Sequence, residues 1–237
     1  MNIAASAFAF ALGLVCSHSS WAARTAFQVR CEDSIDKAVS VLTSAQNGYT
    51  INNTVSFHGL TAMKPGGPTP AAPNSFVLGL TRTESRMSIG LNGAMLKDPL
   101  SGYECVAPKI TVSLFYSPIV VYVGREFSPG SCAYQEILAH EMRHLKTYLD
   151  HLPKVEVTVR AALSKRFGNK PLYAPAGRAR ALLQQEINTG WMTYIKNEMA
   201  KVEILQAAID TPQEYARLSK VCKGEVQSLI RPAKRQR

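Results

Sequence analysis

The chain has 237 residues, 46% of them hydrophobic, and a formal net charge of +10. That length and apolar share exclude a disordered polymer and favour one domain with its own core. No nucleic-acid-binding motif accompanies the charge; part of it lies in the tail Arg231-Pro232-Ala233-Lys234-Arg235-Gln236-Arg237, which reads as a solvated basic end over residues 231–237.

Residues Ala4 to Val15 are small or apolar and carry no charge, and no Lys or Arg precedes Arg24. Polar Ser17-His18-Ser19-Ser20 then leads to Trp21-Ala22-Ala23. Ser20 and Ala22 are small residues three and one positions before a cleavage point after Ala22, so residues 1–22 read as a secretory signal peptide. The apolar run is too short to span a bilayer, and no other run approaches that length. The expected location is periplasmic or secreted, where a basic surface suits lipid headgroups or the cell wall. Export leaves Cys31, Cys105, Cys132 and Cys222, which are expected to form two disulfides in a pairing that the sequence does not rank.

Residues 23–230 read as one α+β domain, with a strand-rich N-terminal half packed on a helical C-terminal half. Thr25 to Cys31 alternates weakly, as a strand does. Asp36 to Ala45 is expected as a short helix. Tyr49 to Phe57 reads as a strand, and Ser75 to Thr83 with Arg86 to Leu91 as a hairpin. Lys64 to Pro73 is a loop, rich in Pro and Gly. Lys109 to Tyr116 and Pro118 to Gly124 are the strongest strands, full of Ile, Val, Leu and Tyr. Helices are expected over Cys132 to His151, capped by Ser131, then over Val155 to Phe167 and Arg178 to Ala208. The chain folds back at about Gly168 to Pro175. Asp210-Thr211-Pro212 ends the long helical run, with Thr211 or Asp210 as cap and Pro212 at the first position of a last helix from Gln213 to Leu229.

The chemistry lies in His140-Glu141-Met142-Arg143-His144. On a helix, Ile137, His140, Glu141, His144, Tyr148 and His151 share one face. Two imidazoles one turn apart can reach one cation, and Zn²⁺ takes neutral imidazole nitrogen with an open position for water. Glu141, beside the first histidine, stands where a general base for that water is needed. Three of the four histidines after residue 22 lie on this helix. The strand Pro118 to Gly124 just before it offers a place for an extended peptide to add hydrogen bonds. Arg143 faces away from the histidines and reads as a surface or ion-pair residue.

These residues resemble the helix motif of the zincin metallopeptidases, and the layout resembles that of uncharacterised exported bacterial zinc-dependent proteases. The resemblance implies a zincin-like fold, a zinc cofactor held by His140 and His144, Glu141 as catalytic base, and a peptide or protein substrate, with cell-wall peptide one variant. A third ligand is needed, and several acids compete. His151 is seven residues beyond His144, roughly 10 Å along the axis, too far for the same ion. Asp150 has the spacing of a metzincin ligand, but Thr147 stands where those enzymes have Gly. A gluzincin-like arrangement takes a glutamate from a later helix, and Glu186, Glu198, Glu203 and Glu214 are candidates. Glu214 is the choice, with Glu198 second. Tyr215 could donate to an oxyanion or simply pack. The competing function is a non-catalytic binding or assembly protein on the same scaffold.

Overall fold

The computed structural model describes residues 24–33, 41–46, 48–63, 76–168 and 170–230. The expected signal peptide, the loop Lys64 to Pro73 and the basic tail lie outside those residues. The elements in order are α1 (Ala26–Asp33), β1 (Val41–Gln46), β2 (Tyr49–Asn52), α2 (Phe57–Met63), β3 (Gly79–Arg82), β4 (Ser85–Asn92), β5 (Met95–Asp98), β6 (Tyr103–Val106), β7 (Lys109–Tyr116) and β8 (Ile119–Val123). The second half holds α3 (Cys132–Phe167), β9 (Leu172–Pro175), α4 (Ala179–Glu186), a π turn (Ile187–Trp191), α5 (Met192–Ala200), α6 (Val202–Ala207), α7 (Pro212–Lys220), a 3₁₀ turn (Val221–Gly224) and α8 (Glu225–Ile230). Strands therefore fill the first half and helices most of the second, as the α+β reading expects.

The first segment corrects the sequence reading. Thr25 to Cys31 is helical because Thr25 and Gln28 form a reciprocal capping box. The Gln28 N–H donates to the Thr25 hydroxyl at 3.1 Å, and the Thr25 N–H donates to the Gln28 side-chain oxygen at 2.8 Å. The helix expected over Asp36 to Ala45 falls partly outside the described residues, and its later part is strand β1. The strand expected to reach Phe57 ends at Asn52, and Phe57 opens α2.

Three chain segments each supply two strands to a long ribbon. One sheet has the order β1-β7-β4 and the next has β2-β8-β3. β1 and β2 run parallel to β7 and β8, whereas β4 and β3 run antiparallel to them. All three lines of chain are interrupted at one level, beside Ser117-Pro118 of the central line. Proline has no N–H to give a ladder, so a central strand breaks there. The buried residues step from Ile110, Val112, Leu114 and Tyr116 to Ile119, Val121 and Val123. The step from Tyr116 to Ile119 is three residues rather than two, so one extra residue resets the alternation, as a bulge does, and keeps both strands facing the core. Ser85–Asn92 and Gly79–Arg82 are not a hairpin: each pairs with a different half of the central line. β8 is central as well, so among the described residues the edge strand beside the motif helix on this side is β3. A third sheet, β5-β6-β9, includes Leu172–Pro175 from the stretch expected only to fold back.

Helix α3 is one 36-residue element rather than two. Ser131 caps it, its hydroxyl accepting from the Tyr134 N–H at 3.1 Å. Pro153 lies inside, where it removes one helical hydrogen bond. Burial on both sides carries the helix through: Leu145, Leu152, Val155, Val159, Leu163 and Phe167 pack in one cluster with the β7 side chains and with Leu183, Ile187, Ile195 and Met199. The run expected from Arg178 to Ala208 is helical but interrupted by the π turn and at Lys201. The last helix is broken too, at Cys222 and Lys223, which have φ of 60° and 52°. Disulfides join Cys31 to Cys105 and Cys132 to Cys222. The second ties the first turn of α3 to the break after α7, and the Ala133 N–H donates to Glu225 at 3.1 Å beside it. Among the described residues no helix is long and apolar enough to cross a membrane.

Candidate metal centre

His140, Glu141 and His144 are buried on the face of α3 that meets β3 and α6. The Nε2 atoms of His140 and His144 are 3.2 Å apart. Asp210 Oδ1 lies 3.2 Å from the first and 3.3 Å from the second. Three donor atoms thus form a nearly equilateral triangle. A tetrahedral zinc site with ligand bonds of about 2.0–2.1 Å has edges of about 3.3–3.4 Å. The donor set of two imidazoles and one carboxylate therefore fits a zinc ion with one position left open.

The other ring nitrogens orient the rings. The Gln206 amide donates to the His144 carbonyl at 3.1 Å, which turns its Oε1 to His144 Nδ1 at 2.6 Å. His144 Nδ1 must then carry the proton, and in the neutral ring its Nε2 is bare. His140 Nδ1 faces both an acceptor, Glu214 Oε1 at 3.3 Å, and a donor, the Arg143 guanidinium at 2.9 Å, so these contacts are compatible with either tautomer. Arg143 also binds Glu214 directly. Two Nε2 atoms and a carboxylate converge, an arrangement that a cation satisfies.

Glu214, the acid expected as third ligand, is thus on the far side of His140. Arg217 holds it at 2.9 and 3.0 Å, and this guanidinium with Arg143 brings its carboxyl down to about 2. Arg217 also reaches Glu136 at 2.7 Å, which fastens α7 to α3. The other candidates are elsewhere. Glu198 pairs with Lys201 at 2.6 Å, Glu186 with Arg166 at 2.6 Å, and Asp150 with Lys146 at 2.5 Å. His151 is one end of a buried contact with the Tyr116 hydroxyl at 3.2 Å. Burial, with Lys154 nearby, lowers its pKa.

Asp210 was read as a cap and not as a ligand. The cap is Thr211, whose hydroxyl accepts from the Glu214 N–H at 3.1 Å, with Pro212 at the first helical position. With that donor satisfied, the Asp210 carboxylate is free to turn to the histidines. Partial burial pushes its pKa up, but the adjacent His140 and His144 and the Tyr215 hydroxyl outweigh this and leave it below the usual carboxylate range. Burial and the adjacent Asp210 push the Tyr215 hydroxyl up. On His144 burial opposes protonation, and the contacts with Asp210 and Gln206 reverse that to a raised pKa. Arg143, expected to face away, lies against His140 and Glu214.

Glu141 is held by β3. The Thr81 hydroxyl lies 2.9 Å from Glu141 Oε2 and 3.0 Å from its carbonyl, and can donate to either. Burial raises the Glu141 pKa, while His144, His140 and Thr81 pull it back only partly. The carboxylate fits beneath Gly79. A Cβ there would lie 2.7 Å from Glu141 Cγ, Glu141 Oε1 and Ile137 Cγ2, so a side chain at position 79 displaces the acid. Thr81, Gln206 and Arg143 carried no sequence signal, since each acts through a contact distant in the chain or dependent on a helix that turns back. The chain matches no family model, no curated protein and no solved structure.

Proposed function

We propose that the protein is an exported zinc-dependent hydrolase of peptide bonds, with zinc held by His140, His144 and Asp210 and with Glu141 as the base. The observation that carries this is the convergence of two Nε2 atoms and the Asp210 carboxylate at 3.2–3.3 Å, next to a buried carboxylate that is not part of the triangle. A zinc ion bound there supplies Lewis acidity, which acidifies water and polarises a carbonyl. Glu141, positioned by Thr81, accepts a proton from the attacking water and returns it to the leaving amine. Gln206 keeps His144 in the tautomer that presents Nε2, and Glu214 orients the His140 ring. The helix spacing of these residues supports a zincin-like reading of fold and site.

The edge strand suits a peptide. Leu78 accepts from the Gly124 N–H at 2.8 Å, and in that register Leu80 and Arg82 turn their backbone groups towards β8. Gly79 and Thr81 turn theirs away, along the sheet edge beside Glu141. An extended substrate can pair there by adding a strand. The two disulfides suit a periplasmic or secreted location.

Purified protein should contain one zinc per chain and cleave an unfolded protein such as casein, with activity lost to a chelator and restored by zinc. Glu141→Gln is expected to keep the zinc and to lower hydrolysis by roughly 10²–10⁴-fold, the usual contribution of a general base. Unchanged hydrolysis in that variant would remove Glu141 from its role, and a metal-bearing but inert wild type would leave a binding protein. Gly79→Ala should also keep the metal while lowering kcat by on the order of 10²-fold, because it moves Glu141 by about the distance that catalysis does not tolerate. Zinc content and kcat measured on the same sample check both variants.

A further inference from the structure

Three of the chain lines that hold the metal site, α3, the β3 line and α6, also line, one step further along, a pocket of about 160 Å³. On α3, Tyr148 follows His144 by one turn. Past the end of β3, Thr83 follows Thr81 by two residues. Before Gln206 by about one turn come Val202 and Glu203. Each step is about 6 Å, four residues of helix or two of extended chain. Three short displacements from one site meet in one pocket, so the pocket adjoins the metal triangle.

Resting on the hydrolase reading, we propose that this pocket receives an aromatic side chain, phenylalanine or tyrosine, of a substrate residue close to the scissile bond. A cavity of about 150 Å³ accepts a benzene ring. The walls suit one. Tyr116 and Tyr148 already meet edge to face, with centroids 4.9 Å apart and planes at 67°. A third ring can continue that T-shaped packing, with Met199 sulfur and Val202 completing the apolar lining. Lys196 and Glu203 are exposed and keep the rim wet, so the hydroxyl of a tyrosine stays solvated there. β3 leads a bound peptide towards this opening, because Thr83 lies just past the end of the strand that Thr81 belongs to.

Ala200 borders the pocket and is exposed, so Ala200→Trp fills it without touching the core or the metal site. Cleavage sites in a proteome-derived peptide mixture, mapped by mass spectrometry, should be enriched in Phe or Tyr at one fixed position near the cut bond. In Ala200→Trp that enrichment should vanish. Its kcat/KM for a peptide with Phe at that position should fall at least tenfold, while a peptide with Ala there is cleaved as before and zinc content is unchanged. Binding of N-acetyl-phenylalanine amide, followed by saturation-transfer NMR, should likewise be lost in the variant. Cleavage with no aromatic enrichment, or enrichment that survives Ala200→Trp, overturns the pocket and leaves the hydrolase standing. Binding of the amide that the variant abolishes, in a protein that cleaves nothing, upholds the pocket and overturns the hydrolase. Neither cleavage nor binding overturns both.

Discussion

Asp210→Ala is expected to lose its zinc, and Glu214→Gln to keep it more weakly. The two acids lie four residues apart and both touch His140, but on opposite ring nitrogens: Asp210 at Nε2, 3.2 Å, and Glu214 at Nδ1, 3.3 Å. A protein zinc site binds with about 10–16 kcal/mol spread over four ligands, so removing one costs roughly 10²–10³-fold in affinity. Glu214 orients a ligand and shares its charge with Arg143 and Arg217. Losing such a partner typically costs about 10–100-fold. A competitive chelator titration of the two variants separates these effects, and dialysed Asp210→Ala should be nearly metal-free. The reverse order, with Glu214→Gln empty and Asp210→Ala loaded, would make Glu214 the ligand.

Replacing both cysteines of the second disulfide, Cys132→Ser with Cys222→Ser, should lower stability by about 4 kcal/mol and the melting temperature by on the order of 10 °C. The bridge closes a loop across a sequence separation of 90 residues, which the unfolded chain otherwise leaves open. It also has a local consequence. α7 buries no side chain of its own. It is held by the Thr211 cap, by Arg217 reaching Glu136, and by the bridge at its far end. Without the bridge, Asp210 and Glu214 lose part of their anchoring, and zinc affinity should fall along with stability. Thermal melts with and without zinc test this: at the same free zinc the double variant should gain less in melting temperature than the wild type, because its site binds more weakly.

The motif helix was legible in the sequence because its signals are local. Ser131 capping, the spacing of His140, Glu141 and His144, and the apolar residues between them all act within a few turns. Thr211 and Pro212 marked the start of α7 for the same reason. Other local signals were present but outweighed. Thr25 and Gln28 spell a capping box, yet weak alternation suggested a strand. Cys132 to His151 and Val155 to Phe167 read as two helices, yet Leu152 and Val155 bury on either side of Pro153 and the packing carries one helix through. The apparent hairpin of Gly79–Arg82 and Ser85–Asn92 failed because each segment found a longer-range partner on the line broken at Pro118.

What the sequence by itself determined is the pair of histidines with Glu141 beside them, the α+β order of elements, and an even set of cysteines. Tertiary structure decided which carboxylate faces the two Nε2 atoms, which cysteines join, and which strand is the edge. The reason is physical. Helical period places His140 and His144 together whatever the rest of the chain does, but Asp210 meets them across 66 to 70 residues of turned-back helix. That meeting depends on where the chain packs, and on Thr211 taking the cap and releasing the Asp210 carboxylate to the histidines.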